Sequence, residues 1–279
     1  MKSICIIGLG LIGGSIARDV KLKKIAKVIY ALDTNSSSLE KAKERGWIDI
    51  VLNEFNEITN IKPDLIIVAT PPKSSAKMLL DLVKNNSLVS STIIDTASTK
   101  GFIHNKLQKM KVENIVLSHP MAGSHKSGID AAKEDLFDNK KTIIINAFDV
   151  SEARIAKAKI LWQKLGSQTI IMGVDEHDHA VAYASHLPHL LAFALTDAIR
   201  SQSNPSINQS SAGGLKEFLR IAASDEEMWS DIFITNKEAI FKSYKEFNLS
   251  IEKIFKNIND EKSLKLTLKE IKNFKSDNF

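Results

Sequence analysis

Residues 3–14 read Ser-Ile-Cys-Ile-Ile-Gly-Leu-Gly-Leu-Ile-Gly-Gly, an apolar run followed by closely spaced glycines. The run predicts a buried strand, and the residues after Gly13 predict a helix. In this setting Gly8 permits a tight turn, Gly10 lets the backbone approach a phosphate, and Gly13 lets helix and strand pack closely. The stretch therefore predicts the strand, turn and helix that bind the pyrophosphate of a dinucleotide.

The predicted dinucleotide site uses the backbone of this turn and two later side chains. The pyrophosphate would lie against the helix start, where free N–H groups favour negative charge. The turn residues assigned to this contact are Gly8, Leu9, Gly10, Leu11, Ile12 and Gly13. Asp33 ends the next predicted strand, where a carboxylate accepts hydrogen bonds from ribose hydroxyls and repels a 2′-phosphate. Because no arginine follows Asp33 in residues 34–36, NAD is favoured over NADP. Thr70, directly after another predicted strand, is assigned as a further cofactor contact.

Short β-branched runs alternate with helical patterns through the first two-thirds of the chain. The predicted strands are residues 3–7, 27–32, 65–69, 92–95, 115–118, 142–146 and 169–172. Runs this apolar are typical of strands buried on both faces. The alternation predicts an α/β fold, with an N-terminal Rossmann-type doubly wound sheet as an NAD-binding domain in residues 1–173.

After Gly173 the pattern becomes helical, and residues 174–279 are predicted to form an all-helical C-terminal domain for substrate binding and dimerisation. We expect a long helix over residues 175–200, kinked near Pro188, because proline lacks the N–H that a helix interior needs. Residues 205–215 are polar and contain glycine, which predicts a loop. Helices are expected over 216–223 and 225–247, with further helix beyond. Dense apolar positions on these helices favour a homodimer, since such faces need a cover.

The amino-acid composition indicates which classes of partner the chain is expected to have. Hydrophobic residues make up 43% and charged residues 25%, as in ordinary globular proteins. The net charge of +5 comes from lysines interleaved with acidic residues, which indicates solvated helix faces and no nucleic-acid partner. The first apolar stretch is closed by Arg18 and Asp19, so no membrane span is expected. Cys5 is the single cysteine, which excludes an intrachain disulfide and a cysteine-based zinc site and fits a reducing cytoplasm.

Two polar segments follow predicted strands. Residues 118–128 read Ser-His-Pro-Met-Ala-Gly-Ser-His-Lys-Ser-Gly, and we expect His119, followed at once by Pro120, on a turn rather than buried in a regular element. Its imidazole titrates near neutrality and can give or take a proton. Ser98 belongs to a hydroxyl-rich segment, 95–100, at the sheet edge where ligands bind. It either orients a neighbouring imidazole or caps a helix over 100–110.

Further candidates lie in the helical part. His186 and His189 are three residues apart and share a helix face. Only Asp178 and His179 are near enough in sequence to add ligands, so packing or substrate contact is favoured over a metal, and no metal is predicted. Arg220 stands among apolar neighbours, where a guanidinium needs an anion. It binds either a substrate carboxylate or a structural one.

Several segments together resemble the prephenate dehydrogenase (TyrA) family of tyrosine biosynthesis, which includes arogenate and cyclohexadienyl dehydrogenases. They are residues 8–15, 95–100, 118–123, 185–189 and 220–225 with Trp229, in the family's order. The first is shared by many dehydrogenases, whereas the others are specific. The resemblance implies NAD-dependent oxidative decarboxylation of prephenate to 4-hydroxyphenylpyruvate, by an oxidoreductase with a Rossmann domain and a helical dimerisation domain.

The resemblance also implies two catalytic residues. His119 would draw the proton from the substrate's ring hydroxyl as hydride leaves the same carbon, and Ser98 would hold that imidazole or the hydroxyl. The chain departs from many members at His125, where they have an acidic residue in an ionic network at the pocket edge. We expect His125, as a substrate-site residue, to alter the pH response or the preference between prephenate and arogenate.

The implied substrate contacts lie in the helical part. Arg220 would bind a substrate carboxylate bidentately, the geometry that suits a guanidinium fork. His189, with His186 beside it, would line the same pocket. Gly213 and Glu217 would approach the neighbouring subunit's site.

Other functions remain open on the sequence alone. An arogenate-preferring or dual-specificity dehydrogenase shares this framework. A non-catalytic NAD-sensing dimer is disfavoured because His119, Ser98 and Arg220 occur together. A hydroxyacid dehydrogenase resembling the 3-hydroxyisobutyrate family would need a catalytic lysine motif, and none stands out. We expect no fused chorismate mutase and no β-rich regulatory domain, although tyrosine could act at the active site itself.

Overall fold

In the computed structural model, which describes residues 1–124, 126–202 and 205–279, strands and helices alternate up to Met172. The strands are β1 (Ser3–Ile7), β2 (Val28–Leu32), β3 (Ile50–Val51), β4 (Leu65–Val68), β5 (Thr92–Asp95), β6 (Ile115–Pro120), β7 (Lys141–Ile145) and β8 (Gln168–Met172). The helices of this sheet part are α1 (Leu11–Leu22), α2 (Ser36–Glu44), α3 (Phe55–Ile61), α4 (Pro72–Val83), α5 (Gly101–Leu107) and α6 (Glu152–Lys164). The predicted α/β architecture is confirmed.

The described strands form one sheet in the order β3-β2-β1-β4-β5-β6-β7-β8. Strands β1 to β6 are parallel, β7 runs antiparallel to β6, and β8 is parallel to β7. The first six strands have the order of a Rossmann sheet, which confirms the doubly wound prediction. Because β1, β4, β5 and β6 are parallel, Gly8, Thr70, Ser98 and His119 all lie at the carboxyl edge of the sheet, where ligands bind.

The central strands are buried on both faces. Ile4 and Ile6 of β1 pack with α1 and α6 in one apolar cluster, and Cys5 and Ile7 pack in the cluster on the opposite face. Two features of the sheet differ from the prediction. Strand β3 is only two residues long, too short for a sequence pattern, and edge strand β8 leaves Ile171 55% exposed.

After Gly173 the described chain is helical: α7 (Val174–Val181), a π-helical turn (Ala182–His186), α8 (Leu187–Arg200), α9 (Pro205–Gln209), α10 (Gly213–Ala222), α11 (Glu226–Thr235), α12 (Lys237–Lys256) and α13 (Glu261–Asn278). The disturbance predicted near Pro188 is the π-helical turn, in which the N–H of Leu187 donates to Ala182 O. Proline cannot supply the next backbone donor, and widening the preceding turn keeps α7 and α8 continuous.

Two helix predictions were wrong. Residues 205–215 are not a loop, because α9 occupies Pro205–Gln209 and α10 begins at Gly213. Packing of α10 against α8 outweighs the poor helix propensity of its glycines. Residues 225–247 form two helices rather than one, with the break at Asn236. The Asn236 side chain is used for tertiary hydrogen bonds to Asp178 O and His186 Nδ1, both 3.0 Å.

The helical part leaves many large apolar side chains exposed. They include Leu195, Phe218, Leu219, Ile234, Phe241, Tyr244, Leu249, Phe255, Leu266, Ile271 and Phe274. Within α10, whose residues are all described, no residue is buried. None of the described helices has both the length and the apolar character needed to cross a membrane.

Candidate active site

In the glycine turn after β1, one glycine borders open space and two others are in close contact with the protein backbone. Gly8 has φ +91°, a left-handed conformation that favours glycine. A Cβ placed on Gly13 would lie 1.8 Å from Gly8 O, whereas one placed on Gly10 would meet no described atom within 4 Å. Gly8 and Gly13 therefore shape the turn itself, and Gly10 faces open space.

Polar groups around this turn suit a dinucleotide. The N-cap of α1, Gly10, supplies no side-chain hydrogen bond to the helix start, so among the described residues its first N–H groups are uncapped. At the end of β2 the Asp33 carboxylate accepts hydrogen bonds from Leu9 N (2.5 Å) and Asn35 N (2.8 Å). Both contacts hold Asp33 beside the turn. Thr70, next to Gly8, accepts at its carbonyl oxygen a 2.7 Å hydrogen bond from Ser75 Oγ.

His119 lies inside β6, not on a turn, and only 9% of it is exposed. The expectation of a displayed histidine was wrong because β6 continues to Pro120. This end of β6 pairs with β7, where His119 stands opposite Ile143. An antiparallel partner twenty or more residues further along the chain leaves no local signal in the sequence.

The other side of the β6 end is held by side chains of β5 and the segment after it. The β5–β6 ladder stops at the pair Ile94 and Val116. Beyond it Asp95 Oδ1 accepts from Ser118 N (3.0 Å), and Ser118 Oγ donates to Asp95 O (2.5 Å). Lys100 Nζ, fully buried, donates to Asp95 Oδ2 and to Ser118 O, both at 2.6 Å. These contacts fix the backbone next to His119.

His119 is hydrogen-bonded to a second histidine. Its Nδ1 lies 2.9 Å from His177 Nε2, and His177 Nδ1 lies 2.8 Å from Asp178 Oδ1. Asp178 also accepts from Lys100 N (2.8 Å) and Gly101 N (2.7 Å) at the start of α5. The first helix after Gly173 thus supplies an imidazole and a carboxylate to the sheet part.

Burial dominates the protonation of this cluster. It lowers the pKa of His119 well below the ordinary 6.5, and the nearby His177, Lys100 and His186 add to the effect. Burial likewise lowers the pKa of His177, which its hydrogen bond to Asp178 opposes only in part. For Asp178 burial favours a higher pKa, but hydrogen bonds from His177, Lys100 N and Gly101 N outweigh it and the pKa is lowered. Neutral imidazoles beside an ionised carboxylate follow.

The two predicted helix histidines are placed differently from each other. His186 is buried, accepts from Asn236 at Nδ1, and has its pKa lowered by burial to about 4. His189 is half-buried, donates from Nδ1 to Ser185 O (2.8 Å), and stacks on Trp229 with ring centroids 3.7 Å apart. The buried Trp229 indole N–H has no hydrogen-bond partner among the described residues. The described residues also contain no cluster of acidic, histidine or cysteine side chains able to hold a metal.

Arg220 projects from α10, and its side chain is 58% exposed. Its Nε donates to Glu217 Oε2 at 2.9 Å, so in one chain the guanidinium has the carboxylate partner that the sequence offered as one of two alternatives. Gly213 and Glu217 are exposed on the same helix. These groups are therefore open to a ligand or to a second chain.

Two predicted residues remain outside this cluster. Ser98 is half-buried and makes no hydrogen bond to His119 in the part of the chain that the structure describes; the imidazole is held by His177 instead. Nor does Ser98 cap α5, because Asp178 performs that role. His125 lies outside the described residues.

The sequence interpretation missed His177 and the structural use of Lys100. His177 and Asp178 lie just after the first turn of the helix that follows β8, five and six residues beyond Met172, and this position was the available signal. From the sequence alone, Asp178 is a candidate only for a metal site. The contact of His177 with His119 spans 58 residues, which no local pattern reveals.

The chain is similar to proteins of known function in both of its parts. Residues 16–171 match the prephenate dehydrogenase nucleotide-binding domain, and residues 174–270 match the prephenate dehydrogenase dimerization domain. The chain is 33% identical to a prephenate dehydrogenase of Bacillus subtilis, over 90% of this chain and 69% of that one. It is 28% identical to a cyclohexadienyl dehydrogenase of Zymomonas mobilis, over 91% of this chain and 87% of that one.

A solved structure shares the whole fold. The prephenate dehydrogenase from Aquifex aeolicus, in complex with hydroxyphenyl propionate and NAD+, has 31% sequence identity and a TM-score of 0.93, covering 99% of this chain and 98% of that one. The chain belongs to the prephenate dehydrogenase family.

Proposed function

We propose that the chain catalyses the NAD-dependent oxidative decarboxylation of prephenate to 4-hydroxyphenylpyruvate, a step of tyrosine biosynthesis. The observation that carries the proposal is a buried histidine, His119, at the same sheet edge as the glycine turn; burial lowers its pKa and so favours the neutral form that can accept a proton. A base at this edge can act on a substrate carbon that faces a nicotinamide.

The residues of the glycine turn fit NAD. Uncapped N–H groups at the start of α1 and the open space at Gly10 accommodate a pyrophosphate. The Asp33 carboxylate, held by two backbone donors, would accept hydrogen bonds from the ribose hydroxyls of NAD and would repel a 2′-phosphate. Bound NAD supplies the hydride acceptor.

The chain itself contributes alignment and proton transfer. Neutral His119 accepts the proton of the ring hydroxyl at Nε2 while hydride leaves the hydroxyl-bearing carbon. The carboxylate on the ring departs as carbon dioxide, and its bonding electrons move through the ring to the oxygen. That oxygen takes the proton back from His119, and the product is the aromatic phenol. The Ser98 hydroxyl makes no hydrogen bond to any described residue. We assign it a hydrogen bond to the substrate hydroxyl.

The second carboxylate of the substrate is assigned to the helical part. Arg220 can exchange Glu217 for a substrate carboxylate, because an exposed ion pair contributes little to stability. His189, half-buried and stacked on Trp229, offers a polar contact on the pocket wall. His186, tied to Asn236, supports that wall from behind.

A homodimer completes the proposal. The match to a dimerization domain and the exposed apolar side chains of the helical part support it. Gly213 and Glu217 on α10 then face a second copy of the chain.

We also propose a domain boundary at Gly173. From the single cysteine, we propose a reducing cytoplasm as the location of the protein.

The proposal is tested by adding purified protein to NAD or NADP with prephenate or arogenate and following reduced nicotinamide and 4-hydroxyphenylpyruvate. We expect turnover of prephenate with NAD. His119→Asn should keep NAD affinity and lose turnover by about 10²-fold or more, because a positioned base contributes that much. His104→Asn, a histidine of α5 that packs on Phe148, is the matched control and should stay active. Absence of turnover with either substrate would refute the proposal.

A further inference from the structure

Two residues of the helical part, His177 and Asp178, form a series of hydrogen bonds that ends at the proposed base, His119. The relevant contacts join Asp178 Oδ1 to His177 Nδ1 at 2.8 Å and His177 Nε2 to His119 Nδ1 at 2.9 Å. His177 uses both of its ring nitrogens in these hydrogen bonds, whereas His119 uses only Nδ1. The direction of hydrogen bonding along the series therefore decides which nitrogen of His119 carries a proton.

The carboxylate end of the series fixes that direction. Asp178 accepts hydrogen bonds from Lys100 N and Gly101 N, which keep it ionised and leave it no proton to donate. His177 Nδ1 must then be the donor to Asp178 Oδ1. Burial keeps His177 neutral, so its Nε2 is bare and can only accept.

His119 must consequently donate from Nδ1 to His177. A neutral imidazole with its proton on Nδ1 has its lone pair on Nε2, the nitrogen that a base needs for the substrate proton. The opposite tautomer would direct an N–H at the substrate hydroxyl and could not accept its proton. The same logic operates where a buried carboxylate holds the imidazole tautomer in a catalytic triad.

We propose that His177 and Asp178 are positioning residues that hold His119 in the tautomer with a bare Nε2. This inference rests on the proposed function of His119 as the base. The anchor is rigid, because Asn236 Nδ2 donates to Asp178 O at 3.0 Å and Asp178 also caps α5. One carboxylate thus ties the helical part to the sheet part and sets the proton position on the base.

The direct test is nitrogen-15 NMR of the histidine rings in the wild-type protein at pH 7.5. The signals of His119 are identified by their absence in His119→Asn. We expect a protonated Nδ1 and a bare Nε2 for His119. A protonated Nε2 would overturn the proposal whether or not the protein oxidises prephenate, so its failure is distinguishable from that of the proposed function.

Variants of His177 give the kinetic test. His177→Phe keeps a ring but removes the acceptor, and we expect kcat to fall by about 10²-fold with NAD affinity unchanged, since much of the base contribution is lost. His177→Gln offers an amide oxygen to His119 Nδ1 and should recover part of kcat. His179→Phe, an exposed position on the same helix, is the control and should match the wild type.

The outcomes separate positioning from general stability. A structural role alone predicts equal losses of kcat in the Phe and Gln variants, or losses in NAD affinity, and either result would refute the proposal.

The pH profile of kcat supplies a second readout. Within residues 1–124, 126–202 and 205–279, the charged or titratable groups that face the pair are Lys100, Asp95, Asp178 and His186. Because these remain in His177→Phe, a changed acid limb reports on His119 itself.

Discussion

His119 is surrounded by groups that oppose its protonation. It is buried in β6, its Nδ1 faces a second imidazole, and the buried cation of Lys100 lies close enough to lower its pKa further. A pKa lowered in this way favours the neutral form of His119, the form that can accept a proton. Once protonated, the imidazolium is a strong acid, which favours return of the proton to the ring oxygen as the aromatic product forms.

The lowered pKa of His119 predicts an unusual pH profile. Only neutral His119 can accept a proton, and a pKa well below 6.5 keeps it neutral as the pH falls through that value. We therefore expect kcat/KM for prephenate to stay level from pH 8 down through 6.5 and to fall only at lower pH. Initial rates at saturating NAD across this range measure it. An acid limb centred at or above 6.5 would show that the site does not depress the pKa of its base.

At the scale of elements, β1, the glycine turn and α1 form the unit that places the cofactor. Two glycines of this turn are needed for different physical reasons. Gly13 is required by the protein, since Gly8 O occupies the space of a Cβ, whereas Gly10 has open space in front of it. A side chain at Gly10 would meet only a bound pyrophosphate.

This difference predicts separate outcomes for two alanine substitutions. Gly13→Ala forces the helix from the strand and should lower the free energy of unfolding by about 1–3 kcal/mol, the usual cost of overpacking. Gly10→Ala should leave that free energy nearly unchanged and weaken NAD binding at least tenfold, about 1.4 kcal/mol. Urea unfolding and NAD titration of both variants measure these effects. Equal destabilisation of the two, or full NAD affinity in Gly10→Ala, would contradict the assignment.

The same elements show how far sequence reasoning reaches. Apolar runs such as Ser3–Ile7 and Thr92–Asp95 were located to the residue because parallel strands buried on both faces leave a dense local pattern. Strand β3 and the first turn of helix α10 were missed, since β3 has two residues and the glycines that open α10 are helical only because α10 packs against α8. In the site, His119 was identified from its neighbours. Its partner His177 was not, because only the folded chain joins them.

Across the whole molecule, the helical part is fastened to the sheet part close to the proposed cofactor edge. Thr99 and Thr235 share a 2.9 Å hydrogen bond, and Lys73 at the start of α4 pairs with Asp231 of α11 at 2.9 Å. The contacts of Asp178 with α5 lie at the same end. Because these contacts cross the domain boundary that we propose, the pocket walls from the two parts are held in a defined relation.

Dimerisation can be tested through exposed apolar residues of α12. Phe241 and Leu249 are 58% and 64% exposed in one chain. We expect sedimentation at micromolar concentration to give twice the 30.9 kDa mass of one chain. The double substitution Phe241→Glu and Leu249→Glu should raise the dissociation constant at least about 10²-fold, because each buried side chain contributes about 1.5–3 kcal/mol and symmetry repeats the loss.

The control for this variant is Ile160→Glu, which places the same charge on an exposed isoleucine of α6 in the sheet part. It should remain dimeric. If Gly213 and Glu217 face a second copy, as we propose, the dissociated variant should also lose turnover while it still binds NAD through the separate glycine turn. A wild-type mass of one chain, or a fully active monomer, would remove the second copy from the site and leave Arg220 to bind its carboxylate within a single chain.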